Sequence, residues 1–118
     1  MDLAELTDKL VAVSGGYARR YRVVQDDNWF VLKLQEEMGE LTQAYLMRAG
    51  QARDKGLSAE EIEAHFRAEV ADVVGQALVV ARHFGVDPEA ELERKWLAWG
   101  PDQQRMGQHP ADQQPASE

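Results

Sequence analysis

The chain has 118 residues, 44% of them apolar, and a formal net charge of −8. That length suits a single domain with a real but modest core, and the apolar share reads as globular rather than disordered. The lack of cysteine excludes disulfides, thiol nucleophiles and cysteine-bound zinc. The acidic balance argues against a nucleic-acid polymer as partner, because a duplex binder needs basic surface to displace counterions. It leaves room for an anionic small molecule, because a bound divalent cation inverts the local charge. No apolar run reaches the roughly 18 residues of a membrane span, so no membrane partner is expected. The opening Met-Asp-Leu-Ala-Glu lacks the basic-then-apolar layout of a signal peptide. Cytoplasmic location is therefore the expectation.

Residues 2–13 carry Leu3, Leu6, Leu10 and Val13 at helical spacing. Gly15-Gly16 interrupts that pattern. A short segment with Tyr17, Tyr21, Val23 and Val24 is a candidate to resume it. Residues 29–49 read as one long helix without internal proline, and residues 50–57, with Gly50, Asp54 and Gly56, as a connection. Ser58 followed by Glu61 is a capping-box signature. It opens a third helix that runs to Phe84, with Gly85 as a left-handed stop. Asp87-Pro88 supplies an N-cap and a first-turn proline for a fourth helix, which ends near Trp99-Gly100. From Pro101 to Glu118 the chain holds three of its four prolines, five glutamines and almost nothing apolar. That composition predicts a flexible polar tail. Neither an internal repeat nor an alternating strand pattern is present. The expected fold is all-α: an antiparallel bundle of four to five helices over residues 1–100, followed by the tail over 101–118.

Two pairs of carboxylates stand out against this frame. On the second helix, Leu34, Met38, Leu41 and Tyr45 define an expected core stripe. Glu37 lies about 60° from Leu34 on a wheel of about 100° per residue. Glu40 lies further round the same side. Phe30, Ala44 and Met47 share that arc, so apolar groups surround the two acids. The third helix reads AEVADVVGQALVVA from Ala68 to Ala81, and only Glu69, Asp72, Gly75 and Gln76 break the apolar run. A helix apolar on all sides is expected to be buried. An unpaired buried carboxylate is costly, and two on one face one turn apart call for a cation. Lys33 can neutralise one of them. If the two helices face each other, Glu37, Glu40, Glu69 and Asp72 converge on an all-oxygen site suited to Mg²⁺ or Mn²⁺. Di-iron bundles need Glu-x-x-His, and none of His65, His83 and His109 has a glutamate three residues before it.

The segment Lys33-Leu-Gln-Glu-Glu-Met-Gly-Glu-Leu41 resembles the E-E-x-G-E-L motif of MazG-like nucleotide pyrophosphohydrolases. Glu69-Val-Ala-Asp72 is similar to the second half of that family's signature, E-x-x-D. The Gly85-Val-Asp87 turn and Glu93-Arg-Lys95-Trp96 resemble the end of the same domain. The resemblance covers roughly residues 28–97. It implies an all-α enzyme that uses Mg²⁺ (or Mn²⁺) to split a nucleoside triphosphate between its α- and β-phosphates. The products are a monophosphate and pyrophosphate, as in nucleotide-pool housecleaning. It also implies a homodimer or homotetramer, with Glu37, Glu40, Glu69 and Asp72 as metal ligands. A phosphoribosyl-ATP pyrophosphohydrolase-like enzyme is a related reading. A non-catalytic helical module that binds a divalent ion or a partner helix is the reading from a different class.

Glu36 is nominated as the water-orienting general base, against an ordinary solvent-facing acid. Lys33 is a phosphate contact or a charge balance within the acidic cluster. Lys95, with Arg94 beside it, is a phosphate contact or a cation favoured by a helix C-terminus. Trp29 and Phe30 are candidates to stack on a base, with core packing the alternative for Phe30 above all. Gln76 is a candidate hydrogen-bond partner behind the ligands, and Trp96 and Trp99 close the bundle or a subunit interface. Helices two and three are both apolar over more than half a turn, so one face is expected to stay uncovered without self-association.

Overall fold

Four helices begin on the same device, a side-chain oxygen that accepts an N–H of the first turn. Asp2 accepts from Glu5 at 2.8 Å, Asp26 from Trp29 at 2.8 Å and Asp87 from Ala90 at 3.2 Å. Ser58 accepts from Glu61 at 3.1 Å, and the Glu61 carboxylate accepts from the Ser58 N–H at 2.9 Å, completing the capping box. Each bond satisfies one of the donors that a helix start leaves orphaned. A computed structural model describes residues 1–100. They form α1 (Leu3–Tyr21), α2 (Asp27–Arg48), α3 (Ala59–His83), α4 (Pro88–Leu92) and a π-helical turn (Glu93–Leu97), with no strand among them. The fold of the described residues is all-α, as expected. The expected flexible tail lies outside them.

The chain divides into two compact units, Met1–Gly85 and the part that begins at Val86. In the first, α2 lies against α3, and α1 packs on α3. In the second, α4 gives way to the π-helical turn, where Arg94 pairs with Glu91 at 2.9 Å. Gly85, at φ +69°, occupies the left-handed position expected of a helix stop.

Three local expectations are overturned. Gly15 and Gly16 do not interrupt α1, which runs unbroken through both. Each glycine costs a helix roughly 0.5–1 kcal/mol relative to alanine, and tertiary contacts offset that. Leu10 lies over Gly75 of α3, its methyl 3.8 Å from where a Cβ there would stand. Arg82 of α3 reaches back to Asp8 at 2.7 Å and to the Ala4 carbonyl at 3.3 Å.

The core face of α2 is also rotated from the expected stripe. Phe30, Glu37, Ala44 and Met47 are buried, while Met38 and Tyr45 are 42% and 51% exposed. The buried face therefore runs along i, i+7, i+14 and passes through a carboxylate. What α2 gains on that face is the burial of Phe30, Ala44 and Met47, and Glu37, on the same face, is carried with them toward the buried Glu69 of α3. Nor is α3 buried all round, since Val70 and Val74 are exposed.

Candidate metal centre and ligand cleft

Glu37 and Glu40 lie one turn apart on α2, and Glu69 and Asp72 one turn apart on α3. One carboxylate oxygen from each of the four lies within 4.8 Å of all the others. Glu37 and Glu69 are each only 9% exposed, whereas Glu40 and Asp72 are exposed. The centre thus has a buried floor and an open rim. Among the described residues, Oε2 of Glu37 and Oε2 of Glu69 are buried with no hydrogen-bond partner. Leaving a buried charged group unsatisfied costs more than a neutral one, on the order of several kcal/mol.

Lys33 is the cation beside the cluster, with Nζ 3.5 Å from Glu37 and 3.3 Å from Glu36. Burial works against its charge, but the hydrogen bond to Glu36 and the charges of Glu36 and Glu37 outweigh that and raise its pKa. One ammonium shared with Glu36 does not balance four converging acids. Glu37 keeps a raised pKa, chiefly through burial and then through the charge of Glu40, with Lys33 opposing. His65 stands near Glu69, Nδ1 3.8 Å from Glu69 Oε1, with its side chain about half exposed. The donor set is oxygen alone, and two of its buried oxygens lack any partner. Both facts fit a hard divalent cation of the Mg²⁺ or Mn²⁺ kind.

A cleft of about 370 Å³ opens from this centre between α1 and α2, floored by α3. Glu37, Asp72 and Lys33 line its acidic end, and Trp29 and Tyr17 are on its walls. Gly75 and Gln76 lie in the floor. The Gln76 amide donates Nε2 to the backbone carbonyl of Phe30 at 3.1 Å. On α1, Ser14 lines the cleft, and its Oγ accepts from Gln25 Nε2 at 2.9 Å.

The cluster gathers the four expected ligands, and the cleft gathers Lys33 and Trp29 with them. Phe30 is placed elsewhere: it is 8% exposed, stacked on His83 at 4.0 Å, and does not line the cleft. Glu36 sits beside the centre with its side chain 58% exposed, held by Lys33. Lys95 belongs to the second unit, half-buried in the π-helical turn. Sequence reasoning missed the part played by α1. The signal was there in Leu10, Val13 and Tyr17, spaced i, i+3, i+7, all of which line the cleft. No family model matches the chain, and neither a curated protein nor a solved structure is significantly similar to it.

Proposed function

We propose that the chain is a divalent-cation-dependent pyrophosphohydrolase of nucleoside triphosphates, of the MazG-like kind. It cuts between the α- and β-phosphates to release a nucleoside monophosphate and pyrophosphate. The observation that carries this reading is the centre itself. Four carboxylate oxygens lie within 4.8 Å of each other, two of the acids keep a buried oxygen without a partner, and the centre opens on a cleft with aromatic walls.

Glu37, Glu40, Glu69 and Asp72 hold the cation. When bound, it neutralises charge that develops on the phosphate oxygens and lowers the pKa of a water beside it. The protein's own residues do the rest. Lys33, at the acidic end of the cleft, contacts phosphate oxygens by exchanging its contact with Glu36 for them. Glu36, the first acid of the E-E-x-G-E-L segment but outside the ligand cluster, takes the proton of the attacking water; its exposure lets it pass that proton to solvent. Trp29 offers a flat face to the base from the α2 wall, with Tyr17 on the α1 wall. Phe30 supports the site from behind, through its carbonyl and Gln76. The reading uses no residue of the second unit.

It also has the chain self-associating. Val31, Leu32, Met38, Val70 and Val74, on α2 and α3, are all exposed, and apolar surface of that extent is ordinarily covered. Light scattering on the purified chain is expected to give the mass of a dimer or tetramer. A monomeric mass contradicts this part.

The test of activity is a panel of standard and modified nucleoside triphosphates with Mg²⁺ or Mn²⁺. Pyrophosphate release from at least one substrate is expected, with near-complete loss in Glu40→Gln. If no nucleotide yields pyrophosphate while Mg²⁺ still raises the melting temperature, the chain is a non-catalytic ion-binding module and the proposal fails.

A further inference from the structure

We propose that Gln76 reads the base, and that the cleft selects nucleotides whose base carries an exocyclic amino group (adenine, cytosine) over their oxo counterparts (hypoxanthine, uracil). This rests on the reading of the cleft as a nucleotide site and adds a selectivity to it.

A backbone carbonyl can only accept. The atom of Gln76 that faces the Phe30 carbonyl at 3.1 Å is therefore the amide nitrogen, and chemistry forbids exchanging the two ends of the amide. The anchor is rigid, because Phe30 is almost fully buried, stacked on His83, and lies within α2. The direction of the remaining atom, Oε1, is thereby set. Among the described residues no donor reaches it, and Gln76 lines the cleft. The cleft floor thus presents a fixed acceptor to whatever the cleft holds.

Its position suits a base. Gln76 lies one turn beyond Asp72 on α3, so it stands about 6 Å further along the floor from the carboxylates that take the phosphate end. Trp29 and Tyr17 line the same cleft. Ser14 adds the opposite polarity. Its Oγ already accepts from Gln25, which leaves the hydroxyl proton to donate. An amino group beside an unprotonated ring nitrogen, as in adenine and cytosine, offers a donor to Gln76 and an acceptor to Ser14. The oxo bases carry the reverse pattern, a carbonyl beside a ring N–H. They would set a lone pair against the fixed oxygen, and a site that holds a polar atom for a partner rejects the analogue that lacks it.

The experiment compares kcat/KM for CTP against UTP and for ATP against ITP with Mg²⁺, in the wild-type chain, Gln76→Met and Ser14→Ala. Calorimetric titration with CMP and UMP supplies a readout independent of turnover. The wild type is expected to prefer the amino member of each pair by roughly tenfold or more, the worth of one satisfied hydrogen bond. Gln76→Met is expected to bring both ratios close to one, and Ser14→Ala to reduce them in part. Equal wild-type rates within each pair, or a preference that survives Gln76→Met, overturns the assignment while leaving the hydrolase reading intact. If Gln76→Met does not fold, the wild-type ratios and Ser14→Ala decide. If no triphosphate is cleaved, the hydrolase reading fails, and the relative affinities for CMP and UMP decide the selectivity alone. Absence of binding to either sinks both.

Discussion

Glu37 of α2 and Glu69 of α3 face each other in the floor of one acidic centre, and each keeps its Oε2 buried without a hydrogen-bond partner. Two buried carboxylates of one centre, each with an oxygen left unpartnered, oppose folding unless something positive lies between them. Mg²⁺ is therefore expected to stabilise the chain by about 2.7 kcal/mol at one hundred times its dissociation constant. The rise in melting temperature should vanish in Glu69→Gln. In chelator, that variant should melt no lower than wild type, since it removes repulsion along with the ligand. A variant that keeps the full Mg²⁺ response contradicts the placement of Glu69.

The pH dependence follows from Glu37, whose pKa is raised from 4.5 by burial and by Glu40. A carboxyl that binds its proton more tightly when folded favours folding below its unfolded pKa, and that contribution is lost as pH rises through the folded value. In chelator, stability should thus fall as the pH is raised from about 4.5 through the elevated titration of Glu37. Glu37→Gln should flatten that fall. Added Mg²⁺ should bind more tightly with rising pH over the same window, because its ligands must lose their protons. Melting curves at a series of pH values, with chelator and with Mg²⁺, check both signs.

Gly16 lies inside α1 with room for a methyl group, the nearest side-chain atom being Arg19 Nη2, 3.8 Å from where a Cβ would stand. Gly16→Ala should stabilise the chain by roughly 0.5–1 kcal/mol, the helix-interior difference between the two residues. Urea unfolding measures it. A loss of stability would indicate that α1 needs the glycine for a reason other than space.

Phe30 is the buried ring at the junction of α2 and α3, in contact with His83 and Trp29. Phe30→Ala should cost about 3–5 kcal/mol, as for other buried aromatics. That is a large part of the stability of a chain this size. Urea unfolding at one pH, with far-ultraviolet dichroism as the probe, is sufficient.

Much of the helical frame was legible because its signals are local. Ser58 with Glu61, Asp87 before Pro88, and Gly85 at its left-handed stop each act within a turn of chain, and each stands where the sequence puts it. The four carboxylates were legible for a related reason: spacing by three on an apolar helix fixes a shared face. What the sequence hid depends on partners far along the chain. The continuity of α1 through its glycines is decided by Leu10 and Asp8 meeting α3 some 65–75 residues later. The core face of α2 was misread because a stripe is sought among apolar residues, and here its centre is Glu37. The cleft wall from α1, and the bond from Gln76 to Phe30, both join residues that no local pattern connects.

If Gln76 reads the base as proposed, that last bond gives the interior a voice in the choice of ligand. The carbonyl that sets the angle of Gln76 belongs to Phe30, and the pose of Phe30 is kept by His83, itself tied to Asp27 at 2.7 Å. Substitutions at His83 or Asp27 lie outside the cleft lining, yet each would loosen the acceptor that the cleft presents. In a survey of random variants, some that merely soften the packing should therefore emerge as broadened substrate range before they emerge as lost turnover.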